Sequence, residues 1–303
     1  METSFNMIKR IALSSHHQVN MASLISGWIG RGAVLVGLTV YGKRHSLLAE
    51  EWNSNWDLRD PVSLVKPLNN SDAQNEEKKA LHQQKVKENT SKAKRMIILV
   101  RHGQYNLNGE TDTQKYLTAL GREQASLTGK RLHELLKYYA DDNTDITLTM
   151  STMTRATETA NIILKELDPK IKEAPKKCDL IREGAPVEPS PPLRKDIWDP
   201  FPSDFLIDGS RIEAAFRKHF HRAKPSQENM SIDILVCHGN VIRYFLCRAL
   251  QFPSNAWLRM NIDNGSITIF TIHSNGEVVL NTYSNSGHFP MDKKTVTLGL
   301  SYG

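Results

Sequence analysis

The run Met96–Val100 constrains the fold more than any other stretch, because a near-continuous apolar run predicts a short strand buried on both faces of a sheet. The strand is followed directly by Arg101, His102 and Gly103. A guanidinium can hold two phosphoryl oxygens in a fixed fork, and a neutral imidazole nitrogen can attack phosphorus. Gly103 would let the chain turn away without a side chain that blocks the phosphate. Taken alone, the tripeptide also fits a solvated loop with a satisfied histidine.

The same arrangement occurs again near the end of the chain. Ile232–Cys237 is an apolar strand candidate, and it is followed by His238, Gly239 and an apolar helix pattern over 241–250. Ligands of open α/β sheets bind at the carboxyl ends of the strands. Two strands that each end in His-Gly therefore favour a catalytic phosphate site over two unrelated loop histidines.

Strand-like and helix-like runs alternate from residue 96 onward. This alternation predicts a three-layer α/β domain, with a mostly parallel central sheet and helices on both faces. The further predicted elements are a helix over 118–136 capped by Thr118, a strand at 146–150, a helix through 167, and two antiparallel strands, 266–272 and 277–283, around the hairpin signal Asn275-Gly276. The Pro-rich stretch 185–202 is predicted to be a loop over the site.

A second arginine belongs to the predicted site. Arg155 would lie in the first turn of the helix that follows strand 146–150, where backbone N–H groups and the positive end of the helix dipole are available to an anion. The alternative is a surface ion pair between Arg155 and Glu158, which would stabilise the helix by only about 0.2–0.5 kcal/mol.

Composition argues against several other classes of protein. The 303-residue chain has a net charge of +6 and a pI near 9.1, but its Lys and Arg residues are scattered, so no nucleic acid is expected as a partner. The three cysteines, an odd number without a Cys-x-x-Cys motif, indicate neither a disulfide framework nor a zinc site. We therefore expect no metal and no cofactor.

The sequence divides into three parts of different character. Residues 1–45 are basic and poor in acids, which is typical of an organelle-targeting segment. Within them, residues 24–42 predict a marginal membrane-spanning helix, interrupted by Arg31; the alternative is an interfacial or cleaved presequence. Residues 46–95 form a tryptophan-containing segment and a polar linker, and residues 96–303 form the catalytic domain.

Two tryptophans stand in an otherwise polar stretch ahead of the linker. Trp52 and Trp56, the latter followed by Asp57, are large aromatic side chains of the kind that need a partner surface. That surface can belong to another molecule or to the chain's own domain, and the sequence leaves both open.

The motifs and their order resemble the histidine phosphatase superfamily, in its phosphoglycerate-mutase-like branch. The resemblance covers about residues 96–291 and rests on Arg101-His102-Gly103 together with three further motifs. These are Leu117-Thr118-x-x-Gly121-Arg122-x-Gln124-Ala125, Ser151-x-x-x-Arg155-Ala156-x-Glu158-Thr159 and Cys237-His238-Gly239-Asn240-Val241-Ile242-Arg243.

The resemblance implies a metal-independent phosphatase in which His102 is the nucleophile and becomes a phosphohistidine. It assigns Arg101, Arg155 and His238 to the phosphoryl oxygens, and Glu183 to the proton that the leaving alcohol needs. Phosphoryl transfer requires mainly positioning and charge neutralisation, which two arginines and a second imidazole can supply.

Four other stretches are similar to the mitochondrial Ser/Thr protein phosphatases of this branch. They are residues 55–57, 180–186, 208–217 and 247–253. The similarity implies a single-pass protein of the mitochondrial outer membrane, attached through residues 24–42. It also implies phosphoprotein substrates, among them a kinase of the apoptosis signal-regulating type, and a homodimer or larger homo-oligomer. Trp52, Trp56 and Asp57 would be the assembly residues.

Two departures from those relatives stand out. Asn53 and Ser54 differ from the usual residues of the tryptophan motif, which puts the size of the oligomer in question. Residues 196–200 replace a more basic stretch, which bears on substrate preference and activity.

Two other functions stay open at this stage. One is a small-molecule phosphatase or mutase, although the chain has no insert after Glu183 that would enclose a sugar phosphate. The other is a weakly active membrane-anchored scaffold that works through the segment around Trp52 and Trp56. The intact set of five site residues argues against the scaffold.

Overall fold

The computed structural model describes residues 51–167, 171, 173–196 and 198–296. The chain divides into two units, residues 1–52 and 53–303, and nearly all described residues belong to the second. The membrane segment predicted at 24–42 and the targeting part at 1–45 lie outside the described residues. Within the part that is described, no helix is long and apolar enough to cross a membrane.

A six-stranded sheet forms the centre of the second unit. Its strands are β1 (Arg95–Arg101), β2 (Asp145–Ser151), β3 (Lys176–Cys178), β4 (Ser231–Cys237), β5 (Ile267–Ile272) and β6 (Val278–Asn285). Their order across the sheet is β3-β2-β4-β1-β5-β6. The first four strands are parallel to one another. Strand β5 is antiparallel to β1, and β6 is antiparallel to β5. The predicted mostly parallel sheet with a late antiparallel edge is confirmed.

Five α-helices accompany the sheet in the described part of the chain. They are α1 (Glu76–Glu88), α2 (Ala119–Tyr139), α3 (Thr154–Leu167), α4 (Pro202–His219) and α5 (Gly239–Ala249). The Thr118 side chain accepts a hydrogen bond from Gly121 N–H, so the predicted cap of α2 is present. Helix α1 lies in the predicted linker and buries no side chain. Helix α4 is not predicted by the sequence pattern, because it begins at a proline inside the Pro-rich stretch.

Helices cover both faces of the sheet because β1 contributes side chains to two separate cores. Ile97 and Leu99 pack with residues of α4 and α5, whereas Met96, Ile98 and Val100 pack with residues of α2 and α3. None of these five side chains is more than 4% exposed. The unbroken apolar run at 96–100 is therefore the sequence signature of a central strand, as predicted.

The register of the strands brings the site residues to one edge of the sheet. Arg101 at the end of β1 is paired with Cys237 at the end of β4, and β2 lies on the other side of β4. The residues that leave these three strands are therefore neighbours: His102 after β1, His238 after β4 and Ser151 at the end of β2. Strand β4 lies in the middle, so His238 lies between the other two.

The tryptophan-containing segment packs against the chain's own domain from residue 53 onward. The indole N–H of Trp56 donates to the carbonyl oxygen of Gly276 at 2.8 Å, and its ring lies 5.9 Å from that of Phe216 on α4. The Asp57 carboxylate is fully buried against Arg222. Of the two surfaces left open by the sequence, Trp56 and Asp57 therefore use the intramolecular one, while Trp52 is 40% exposed.

Candidate active site

His102 is a buried, neutral imidazole with a defined tautomer. Its Nδ1 lies 2.8 Å from the carbonyl oxygen of Gly103, and because a carbonyl can only accept, Nδ1 carries the proton. Its Nε2 accepts a hydrogen bond of 3.2 Å from Nε of Arg155. Burial, reinforced by Arg155 and Arg101, holds the pKa of His102 well below the usual value of 6.5. The unprotonated nitrogen of the ring is therefore Nε2.

His238 faces His102 from the end of β4, with the two ring centroids 5.1 Å apart. Its Nε2 is 2.8 Å from the Ser151 hydroxyl, whose oxygen also accepts a hydrogen bond of 3.3 Å from Met153 N–H. Nδ1 is buried and has no partner in the described structure. Burial, followed by the charge of Arg155, lowers the pKa of His238 well below 6.5. A ring held by Ser151 through Nε2 can present an N–H at Nδ1 to an anion.

Arg101 is a buried cation whose partner is a carbonyl and not a carboxylate. Nη1 donates to the carbonyl oxygen of Ile262 at 2.6 Å, whereas Nε is buried and has no hydrogen-bond partner among the described residues. The side chain is 7% exposed and, within the described residues, takes part in no ion pair. Burial lowers the pKa of Arg101 to about 10, so the guanidinium is charged at neutral pH. A buried charge of this kind calls for an anion.

Arg155 lies in the first turn of α3, as predicted, and its guanidinium is 4.8 Å above the ring of Tyr105. Nη1 is 3.7 Å from Oδ1 of Asp112, too far for a hydrogen bond. Glu158 faces away from it, and its carboxylate instead contacts Arg122 and the N–H of residue 117 at 2.7 and 2.8 Å. The alternative surface pair between Arg155 and Glu158 is therefore wrong.

Glu183 is half-buried and shares a cleft with Arg155. One carboxylate oxygen accepts from Gly184 N–H at 3.2 Å, and the other accepts from Asn240 N–H in the first turn of α5 at 3.4 Å. The cleft has a volume of about 360 Å³. Among its lining residues are Tyr105, Lys115, Arg155, Glu183, Trp198, Asp204 and Asp208. Trp198 belongs to the stretch predicted to lie over the site.

Gly103 is needed for a reason that the sequence did not show. A Cβ at this position would lie 2.4 Å from the carbonyl oxygen of Gly121 in the first turn of α2. The loop after β1 therefore packs directly against the helix backbone. The missing side chain serves this close approach, and the room it would leave for a phosphate stays a prediction.

The structure adds three residues to the site to which the sequence analysis gave no role. Ser151 contacts His238, Tyr105 stacks on Arg155, and Asn240 N–H contacts Glu183. Ser151 and Asn240 stand in motifs that carry the resemblance, and Tyr105 follows Gly103 by two residues, but none of these positions indicates a contact partner. In the part of the chain that is described, no group of three or more His, Cys, Asp or Glu side chains is arranged to hold a metal ion.

Two buried imidazoles, His102 and His238, lie beside two buried arginines, Arg101 and Arg155, at the carboxyl edge of the parallel part of the sheet. The chain belongs to the histidine phosphatase superfamily (branch 1), whose family model matches residues 97–180 and 209–285.

Curated relatives cover most of the chain. The mitochondrial serine/threonine-protein phosphatase Pgam5 of Drosophila grimshawi is 49% identical over 239 residues, which are 79% of this chain and 78% of that protein. The Pgam5 protein of Drosophila melanogaster is 48% identical over 245 residues, 80% of each chain. Among solved structures, a phosphoglycerate mutase from Plasmodium falciparum matches with 32% identity and a TM-score of 0.44, over 66% of this chain and 96% of that one.

Proposed function

We propose that this protein is a mitochondrial protein Ser/Thr phosphatase in which His102 takes the phosphoryl group and passes it to water. The observation that carries the proposal is the environment of His102 Nε2. This nitrogen is unprotonated on a neutral ring, it accepts a hydrogen bond from Arg155, and the ring of His238 faces it. The printed names of the relatives support the substrate class and the location.

In the first step, His102 Nε2 attacks phosphorus and the alkoxide of the substrate leaves. The bond from Nδ1–H to the carbonyl of Gly103 keeps the attacking nitrogen unprotonated. Arg155 Nε–H, which donates to Nε2, turns to a phosphoryl oxygen when Nε2 bonds to phosphorus. Arg101 and the N–H of His238 neutralise the other oxygens.

Glu183 donates a proton in the first step and accepts one in the second. Its carboxylic acid protonates the leaving alkoxide, and the resulting carboxylate accepts a proton from the water that attacks the phosphohistidine. The shared cleft with Arg155 and the contacts to Gly184 and Asn240 support this role, because they hold the carboxyl group beside the phosphate site.

The central test is phosphate release from a phosphothreonine peptide by the purified full chain in the presence of a chelator. His102→Ala should reduce kcat/KM at least about 10³-fold, because it removes the nitrogen that bonds to phosphorus in the first step. His82→Ala is the matched control, since His82 lies on α1, which buries no side chain. Full activity of His102→Ala would remove the mechanism, and hydrolysis of 3-phosphoglycerate without hydrolysis of peptides would favour the small-molecule alternative.

The role of Glu183 has its own test. Glu183→Gln keeps the shape but cannot transfer a proton, so turnover should fall about 10²- to 10⁴-fold. With an activated aryl phosphate, whose leaving group needs no proton, the variant should accumulate labelled phosphohistidine. Glu188→Gln, at an exposed position in the same loop, should behave as the wild type. Unchanged turnover in Glu183→Gln would exclude this residue from proton transfer.

The same proposal includes a single-pass outer-membrane anchor at residues 24–42, homo-oligomers, and a stress-kinase substrate of the apoptosis signal-regulating type. The basic, acid-poor composition of residues 1–45 supports the targeting part. Alkaline carbonate extraction of mitochondria, with and without residues 1–45, tests the anchor. Release of the full chain into the supernatant would contradict it.

A further inference from the structure

We propose that two exposed apolar side chains at the start of α4 bind an apolar residue of the phosphoprotein substrate, close to its phosphorylated residue. The inference rests on the proposed function. The two side chains are Phe201 and Ile207, which are 74% and 66% exposed and are called the α4 patch below. They fall within seven consecutive residues.

The α4 patch is unusual for a helix that packs on a core. The buried residues of α4 are Ile212, Ala215 and Phe216, all in its second half. None of residues 202–211 is buried. Clustered large apolar side chains in water are unfavourable, and on folded proteins they commonly mark an interaction surface.

The patch is continuous with the active-site cleft. Asp204 lines the cleft, and Phe201 and Ile207 stand three residues before and after it. The Asp204 carboxylate accepts the backbone N–H of Phe201, and Ile207 lies one helical turn beyond Asp204 on the same side of α4. Trp198 and Pro200, which lead into the helix, line the cleft as well. A peptide whose phosphate reaches Arg155 therefore passes Asp204 and meets the α4 patch on leaving the cleft.

The charged residues of α4 that line the cleft favour one kind of peptide. Asp208 is paired with Arg211 at 2.7 Å, whereas Asp204 forms no ion pair within the described residues. Its Oδ2 accepts only the backbone N–H of Phe201, at 2.9 Å. A Lys or Arg between the phosphorylated residue and the apolar residue would neutralise Asp204. The occupant is therefore an extended phosphopeptide segment that carries a basic and then a bulky apolar side chain on one side of the phosphate.

The experiment measures kcat/KM of the full chain on phosphothreonine peptides. A single leucine is scanned through each position on both sides of the phosphothreonine in a Ser/Gly background, with Lys or Glu at the intervening position. The best leucine position should raise kcat/KM about tenfold over serine, as expected for burial of one such side chain. Lys should be preferred to Glu.

The variant Phe201→Ser/Ile207→Ser should lose the leucine preference and keep its activity on p-nitrophenyl phosphate, which is too small to reach the patch. Leu81→Ser, at an exposed apolar position on α1, is the matched control and should keep the preference. Equal kcat/KM for all peptides, or an unchanged preference in the double variant, would overturn the docking proposal alone. A change in oligomeric mass with unchanged peptide kinetics would overturn it in favour of a second copy as occupant. Hydrolysis of p-nitrophenyl phosphate but of no peptide would overturn the proposed function as well.

Discussion

Replacing Asp57 by alanine should strongly destabilise the domain, because it leaves a guanidinium buried without its counter-charge. The side chains of Asp57 and Arg222 are 0% and 2% exposed. One carboxylate oxygen of Asp57 accepts from the backbone N–H and Nε of Arg222 at 2.8 and 3.0 Å, and the other accepts from Nη2 at 2.9 Å. Breaking a buried pair by removing one partner costs about 3–5 kcal/mol. For a domain of this size, that loss lowers Tm by about 6–20 °C.

The assay is thermal and urea unfolding of the full chain, with sedimentation at the same concentrations. Asp142→Ala, an exposed carboxylate in the turn after α2, is the matched control. Asp57→Ala combined with Arg222→Met should recover part of the loss, because no unpaired charge remains. A Tm of Asp57→Ala within about 2 °C of the wild type would refute the reasoning. Lost stability with unchanged oligomeric mass would separate this intramolecular anchor from the predicted assembly role of Asp57.

Two further predictions concern hydrogen bonding and pH. Ser151→Ala should lower kcat/KM about tenfold or more, because the ring of His238 loses its hydrogen-bond partner on Nε2, and it should lower Tm by no more than a few degrees. Steady-state kinetics test this prediction, and unchanged kinetics would contradict it. Burial is the main reason that the pKa values of His219 and His221 are lowered to about 4. Between the unfolded value of about 6.5 and pH 4 the unfolded chain binds more protons than the folded chain, so the free energy of unfolding should fall as the pH is lowered from 6.5 towards 4. Urea unfolding at pH 7 and pH 5 measures it, and equal or greater stability at pH 5 would show that the folded structure does not keep these rings uncharged.

Local pattern predicted most of the sheet and its helices because the signals lie within single elements. The apolar run at 96–100 is sufficient to indicate a central strand, and Thr118 followed by an amphipathic stretch is sufficient to indicate a capped helix. Helix α4 was missed because it begins in a Pro-rich stretch and buries no residue in its first ten positions. Its amphipathic signal is therefore confined to the second half.

The partners of charged side chains could not be predicted in the same way. The spacing of Arg155 and Glu158 allows a surface pair. In the folded chain, however, Glu158 accepts a hydrogen bond from Arg122 on α2, and Arg155 donates one to His102. Gly103 shows the same limit, since its neighbour Gly121 is known only once the loop and α2 are packed. The partner of a charged side chain and the neighbour of a glycine depend on contacts between elements that are distant in sequence.

The sequence by itself determined the α/β class and the two strands that each end in His-Gly, because hydrophobic periodicity and short motifs are local properties. Only the tertiary structure decided which nitrogen of His102 is unprotonated and that Glu158 contacts Arg122. It also decided that Trp56 and Asp57 pack on their own domain. Those outcomes depend on burial and on distances of a few ångströms between segments far apart in the chain. The parallel register of β1, β4 and β2 sets those distances at the site.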